Sequence, residues 1–158
     1  MALEKGINSY ATVEEADAYL QERLDVAAWD NADSDQKSKA LVTATAILDG
    51  LDWIGVAVSE DQTLAFPRTA TYYDPLVGNY VDLTTSVPLR IVKATYEIAY
   101  HLLNNDGLLD DTGSVRTISV SGVVLDTIVK PNKIPNTASN LIRPLLLNRG
   151  SYSWWRAN

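Results

Sequence analysis

Residues 87–103, "VPLRIVKATYEIAYHLL", constrain the fold most. Ile91, Val92, Thr95, Tyr96, Ile98, Ala99, Leu102 and Leu103 recur at helical spacing and form a broad apolar stripe. A stripe of that width places this helix at the centre of a bundle, with other helices packed around it. Pro88 falls in the first turn, where its missing N–H costs nothing, and "NNDGLLDD" stops the helix. Three more helices supply the neighbours. In "TVEEADAYLQERL", Thr12 and Glu15 have capping-box spacing, and Val13, Ala16, Tyr19, Leu20 and Leu24 mark a helix over 13–24. After the polar loop "DNADSDQKSK", Asp33 or Ser34 caps a helix over 35–51 whose face is Ala40, Leu41, Ala44, Ile47, Leu48 and Leu51. A last helix starts near 137, capped by Asn136 or Thr137, with Ala138, Leu141, Ile142, Leu145 and Leu146 as its face and Pro144 kinking or shortening it.

Between the second helix and the central one the helical period vanishes. Trp53 and Ile54 turn the chain back to the core, and Gly55, Pro67, Pro75 and Gly78 then punctuate residues 55–86. About thirty residues without a clear element are long for a compact domain and point to a functional excursion. Within it, "LAFPRT" holds Phe66 extended before Pro67, which sends the ring inward while Arg68 points elsewhere. "ATYYDPLVGNYVDL" reads as a short extended arm or loose hairpin. "VRTISVSGVVLDTIV", residues 115–129, is rich in Val, Ile and Thr and breaks at Ser121-Gly122, a β-hairpin signature. The fold class is therefore mainly α: a small helical bundle of about four helices with a long extended insertion, one β-hairpin and an extended C-terminal tail. Residues 1–147 form one domain, and 148–158 form the tail.

At 158 residues the chain suits a single core. No apolar run approaches the roughly 18 residues of a membrane span, and the first twenty residues lack the apolar h-region of a signal peptide, so synthesis in the cytoplasm and no membrane partner are expected. The absence of cysteine excludes disulfides, thiolate nucleophiles and cysteine-bound metal. Residues 1–111 carry 7 Lys/Arg against 19 Asp/Glu, whereas 112–158 carry 6 against 1, a balance of −12 followed by +5. An acidic body with a basic end suits docking on something acidic, including another copy of the same chain.

Catalytic equipment is missing from the pattern. No nucleophile elbow, phosphate loop or dinucleotide fingerprint occurs. His101 is a helix residue at the core edge, Asp30, Asp33 and Asp35 lack the EF-hand rhythm, and Asp110 and Asp111 are neighbours in a turn. No enzyme activity, cofactor or metal is expected. The tail is more informative: in "NRGSYSWWRAN", Arg149, Tyr152, Trp154, Trp155 and Arg156 interleave cations with aromatics. Those residue types dominate protein-binding hot spots, and they also stack and neutralise single-stranded nucleic acid. A partner's pocket, a nucleic-acid strand and this domain's own surface all remain open as their site, the partner being favoured.

The ordered set "SYATVEEADAYLQER", Trp29, "KALVTATAILDGLDWIG", "QTLAFPRT" and "VPLRIVKATYEIAYHLL", spanning residues 9–103, resembles the small head-to-tail connector (adaptor) proteins of tailed bacteriophages. Related sequences also carry the label DnaT-like single-stranded-DNA-binding protein. The resemblance implies a structural virion protein at the head–tail neck. It would form a ring of about twelve copies beneath the portal, extend the DNA channel and meet the next tail or neck component. Genomic DNA would pass through without specific binding, as an acidic wall favours. The tail residues above would then face the portal or a neighbouring subunit, and Phe66, Arg68, Tyr72, Tyr73 and Tyr80 would be inter-subunit candidates. The alternative is a DnaT-like single-stranded-DNA-binding protein acting in phage replication.

Overall fold

The computed structural model describes residues 2–24, 26–104, 118–120, 123–125 and 134–147. Its centre is helix α4, Leu89–Asn104, whose residues Ile91, Thr95, Tyr96, Ile98, Ala99 and Leu102 are buried as the stripe requires. Ala94 and Glu97 are buried as well, so this helix is enclosed over most of its circumference. Pro88 lies just ahead of it, and its carbonyl accepts from the N–H groups of Ile91 (2.9 Å) and Val92 (3.3 Å).

Two capping boxes start the helices that precede it. α1, Val13–Gln21, begins where the Glu15 N–H donates to Thr12 Oγ1 (3.2 Å) and the Thr12 N–H donates to Glu15 Oε2 (3.0 Å). It stops three residues short of the expected end, because Arg23 turns away to bond Glu97 on α4, and Leu24 is left exposed rather than on a helix face. α2, Ala27–Asp30, is a single turn inside a stretch expected to enter a polar loop. Tertiary contacts hold it: Trp29 is buried, its indole N–H donates to Asp17 Oδ1 (2.7 Å), and the Lys37 ammonium lies 5.3 Å from its ring centre. α3, Ser34–Asp49, is capped by Asp33 with Gln36 completing the box. α5, Asn136–Ile142, passes into a 3₁₀ turn over Arg143–Leu145 at Pro144. α4 packs against both α3 and α5. The described residues thus hold five helices, not four, because a one-turn helix leaves no periodic trace in the sequence.

The strands form three two-stranded antiparallel pairs. β1 (Val56–Ala57) pairs with β2 (Arg68–Thr69), and β3 (Thr71–Asp74) pairs with β4 (Asn79–Asp82). β5 (Ile118–Val120) pairs with β6 (Val123–Leu125) with Val120 opposite Val123, the hairpin that the Ser121-Gly122 break predicts. The remainder of 115–129 lies outside the described residues, as does the tail from 148. The fold is helix-rich with small sheets, coarsely the mainly α class.

The insertion departs from expectation. It does not simply leave the bundle, since Leu64, Phe66, Tyr72 and Leu83 are all in the core. Phe66 stands edge-on to Tyr10 (6.3 Å) and to Trp53 (5.1 Å), and the peptide bond joining it to Pro67 is cis. Chain closure is completed by Trp53, which bridges to Leu146, while the Ile54 N–H donates to the Leu145 carbonyl (3.1 Å) and the Leu147 N–H to that of Asp52 (2.8 Å).

Candidate protein-interaction surface

The β3–β4 hairpin is two-faced because a strand sends alternate side chains to opposite sides. In "TYYD", Tyr72 and Asp74 point in and Thr71 and Tyr73 point out. The inner face is fastened by charge. Arg90 on α4 donates from Nε (2.9 Å) and Nη2 (2.5 Å) to the two oxygens of Asp74, a bidentate pair that fixes orientation as well as distance. The Tyr72 hydroxyl (2.8 Å) and the Leu76 N–H (2.9 Å) also donate to Asp74. The Arg90 guanidinium, aided by these other donors, holds the Asp74 carboxyl well below the usual carboxylate range, and Asp74 in turn raises Arg90. Arg90 also reaches the Leu141 carbonyl at 3.5 Å, so one side chain ties hairpin, α4 and α5 together.

The outer face carries an aromatic pair beside the polar pair Thr71 and Asp82. Tyr73 and Tyr80 are cross-strand partners, 52% and 71% exposed, with ring centres 5.6 Å apart at 70°. At the turn, Leu76 is 87% and Val77 67% exposed. Side chains of this size carry roughly 100–200 Å² each, so the four present on the order of 500 Å². Leu76 and Val77 border the side of the hairpin that carries Tyr72 and Asp74, so the turn pair and the tyrosine pair are separate exposures. Gly78, at φ +71°, and the Gly78 N–H bond to the Asp74 carbonyl (2.7 Å) close the turn that displays them. Beside the hairpin lies a groove of about 470 Å³ between it and the start of α4, lined by Val81, Val87, Pro88, Leu89, Lys93 and Leu141.

The five inter-subunit candidates divide accordingly. Tyr73 and Tyr80 are on the exposed face, whereas Phe66 (2% exposed) and Tyr72 (5%) pack inside their own chain and cannot offer their rings to a neighbour. Arg68 is half-buried and consumed internally, donating to the carbonyls of Ile54 (2.8 Å), Ala65 (3.0 Å) and Gly55 (2.7 Å). Leu76 and Val77 went unnoticed in the sequence, although an apolar pair between Pro75 and Gly78 at a turn is itself a signal of display. Arg149, Tyr152, Trp154, Trp155 and Arg156 lie outside the described residues.

Five cations of the body pair with carboxylates of the same chain, whereas Lys93 on α4 joins none of these pairs. Arg23 pairs with Glu97 (2.5 Å), Lys37 with Asp17 (2.9 Å), Lys39 with Asp35 (2.5 Å), Lys5 with Glu15 and Arg90 with Asp74. Glu97 is buried and also accepts from the Tyr19 hydroxyl (2.7 Å); burial first, and Glu97 second, push the Tyr19 hydroxyl up to about 12. This cluster is saturated and structural. Among the described residues, no group of three or more His, Asp or Glu gathers as a metal site, and no helix is long and apolar enough to cross a membrane. His101 is half-buried in the last turn of α4.

The family model described as "Putative DnaT-like ssDNA binding protein" matches residues 2–156. No curated protein and no solved structure matches the chain.

Proposed function

We propose that this chain, which belongs to the DnaT-like single-stranded-DNA-binding protein family, works as a structural subunit: a head–tail connector that assembles into a ring beneath a phage portal. One observation carries the preference for assembly over catalysis or DNA binding by the body. Six cations of the described body, Lys5, Arg23, Lys37, Lys39, Arg68 and Arg90, are held by its own carboxylates and carbonyls, while four large apolar side chains stand exposed on a hairpin pinned by Arg90. Phosphate binding needs Lys and Arg that can release counterions, and protein binding needs displayed aromatic and aliphatic groups. In this reading the ring, of about twelve copies, extends the DNA channel and sits in the virion neck. Its basic aromatic residues Arg149, Tyr152, Trp154, Trp155 and Arg156 reach the portal, and another face meets the next tail component. Electron microscopy of the purified protein and of virions tests it. Rings of uniform size, and the chain in mature particles, are the expected result; a monomer absent from particles overturns it.

The family match itself favours a second reading, binding of single-stranded DNA in phage replication. Those same five residues supply its stacking and charge. Binding to an oligonucleotide at about 150 mM salt, lost in Trp155→Ala and Arg156→Ala, supports it, and no measurable binding removes it.

A further inference from the structure

We infer that the tip of the β3–β4 hairpin, residues 73–80, is a hinged arm able to close over the groove at the start of α4, and that the Arg90–Asp74 pair is the latch that sets its position. The device belongs to the single subunit and is independent of ring formation. The root of the hairpin is fixed in the bundle. Tyr72 and Leu83 are buried in the core, the Arg68 N–H donates to the Leu83 carbonyl (3.0 Å), and the Leu83 N–H donates to that of Ala70 (3.0 Å). Beyond the cross-strand pair Tyr72 and Val81 the attachment thins. Residues 75–80 are all exposed, β4 packs chiefly on β3, and Asp74 is the one buried residue of the tip. Segments held by so few buried contacts open locally while the rest of the fold stays intact.

Asp74 is therefore what ties the tip to the bundle. Its Oδ1 accepts from Arg90 Nη2 and from the Leu76 N–H, and its Oδ2 accepts from Arg90 Nε and from the Tyr72 hydroxyl. Because one oxygen takes both Arg90 and the Leu76 N–H, the direction of the turn is set from α4. Pro75 and the Gly78 N–H bond to the Asp74 carbonyl stiffen the turn itself, so the tip moves as a unit. The groove shows where it moves. About 470 Å³ lies between Leu76 and Val77 on the arm and Val87, Leu89 and Lys93 on the bundle. Leu76, Val77 and Leu89 are 87%, 67% and 65% exposed, so closure removes apolar surface on both walls from water. Opposing it, the fork of two hydrogen bonds fixes distance as well as orientation, and the tip cannot approach the start of α4 until Arg90 lets go of an oxygen. The Arg90 and Asp74 side chains are largely buried, which leaves the pair little screened and makes the released arm a minor state. Latched, the arm presents Leu76 and Val77 to a partner; closed, it hides them against Leu89.

The full chain has no cysteine, so one introduced pair reports the closure. In Val77→Cys with Leu89→Cys, a disulfide within one chain is expected under mild oxidation, forming at least ten times faster when Arg90→Lys is added. Lysine keeps a charge beside Asp74 but has no fork. No such disulfide in either background overturns the closure, and equal rates overturn the latch. Hydrogen exchange separates a latch from general support. In Arg90→Lys the Leu76 and Gly78 amides are expected to exchange at least tenfold faster, while interior amides of α3 and α4 keep their rates. A rise shared by the helices makes Arg90 a stability residue of the whole domain and overturns the assignment. If Arg90→Lys does not fold, Asp74→Asn with Arg90→Gln replaces the ion pair by neutral amides, leaves no buried charge alone, and is read by the same two measurements.

Discussion

Asp49 and Asp74 are two carboxylates that the fold treats in opposite ways, and the difference sets how stability follows pH. Asp49 is half-buried at the end of α3, accepting from the Tyr10 hydroxyl and from the Ala65 N–H (3.1 Å), with no cation to balance it. Burial pushes its carboxyl up, against the pull of those two donors. Burial and Asp49 together raise the Tyr10 hydroxyl. A raised carboxyl binds its proton more tightly when folded, so this group adds stability as pH falls through its native value toward the unfolded one, and that increment is absent at neutral pH. Asp49→Asn keeps an acceptor without the charge. Its expected stability at pH 7 equals wild type or exceeds it by about 1 kcal/mol, and the difference shrinks toward pH 4.5, read by urea unfolding at both values. Tyr10→Phe strips Asp49 of a donor and the Phe66 N–H of its acceptor, a loss of about 1–3 kcal/mol by the same assay. Asp74 is lowered instead, chiefly by Arg90, so its contribution is present above the ordinary carboxylate range and is lost only in stronger acid.

Two glycines separate strain from crowding at the scale of elements. Both have positive φ, +69° at Gly55 and +71° at Gly78, but a Cβ on Gly55 comes within 2.5 Å of Ala70 Cβ and the Thr69 carbonyl oxygen, while one on Gly78 meets nothing. Gly78→Ala is expected to cost about 1 kcal/mol of conformational strain. Gly55→Ala adds a clash with backbone across β1–β2 and is expected to cost about 3 kcal/mol; equal midpoints for the two variants refute the distinction. The elements that sequence revealed are those whose causes are local: the Thr12–Glu15 box, Asp33 as cap, the α4 stripe, and the stop at Pro144. What it concealed depends on distant partners. α2 exists because Trp29 reaches Asp17, and α1 ends early because Arg23 reaches Glu97, 74 positions away. Alternation separates Tyr72 from Tyr73, but only Arg90 on another element decides which of them faces in. Tyr73 and Tyr80 were therefore legible as candidates and Phe66 as an inward ring, and the sorting of Tyr72 into the core was not.

At the scale of the whole molecule, the acidic residues 1–111 share the core with α5 from the basic residues 112–158. The core closes within the described residues: Ile142 and Leu145 are fully buried, Leu146 bridges to Trp53, and every buried side-chain polar atom there has a partner. Deleting residues 150–158 is then expected to leave the helical circular-dichroism signal intact and the unfolding free energy within about 0.5 kcal/mol of the full chain. In the proposed connector role, attachment to phage heads is expected to be lost. A fall of several kcal/mol places Trp154 and Trp155 in this domain's own core instead, since burying an aromatic side chain is worth roughly 1.5–3 kcal/mol. Ionic strength gives an independent handle. Contacts between a basic end and an acidic body weaken once the Debye length drops from about 10 Å at 0.1 M to about 3 Å at 1 M. Sedimentation of the full and truncated chains across that range should therefore show salt-sensitive association in the full chain only, and equal salt dependence of the two refutes a docking role for the tail's charges.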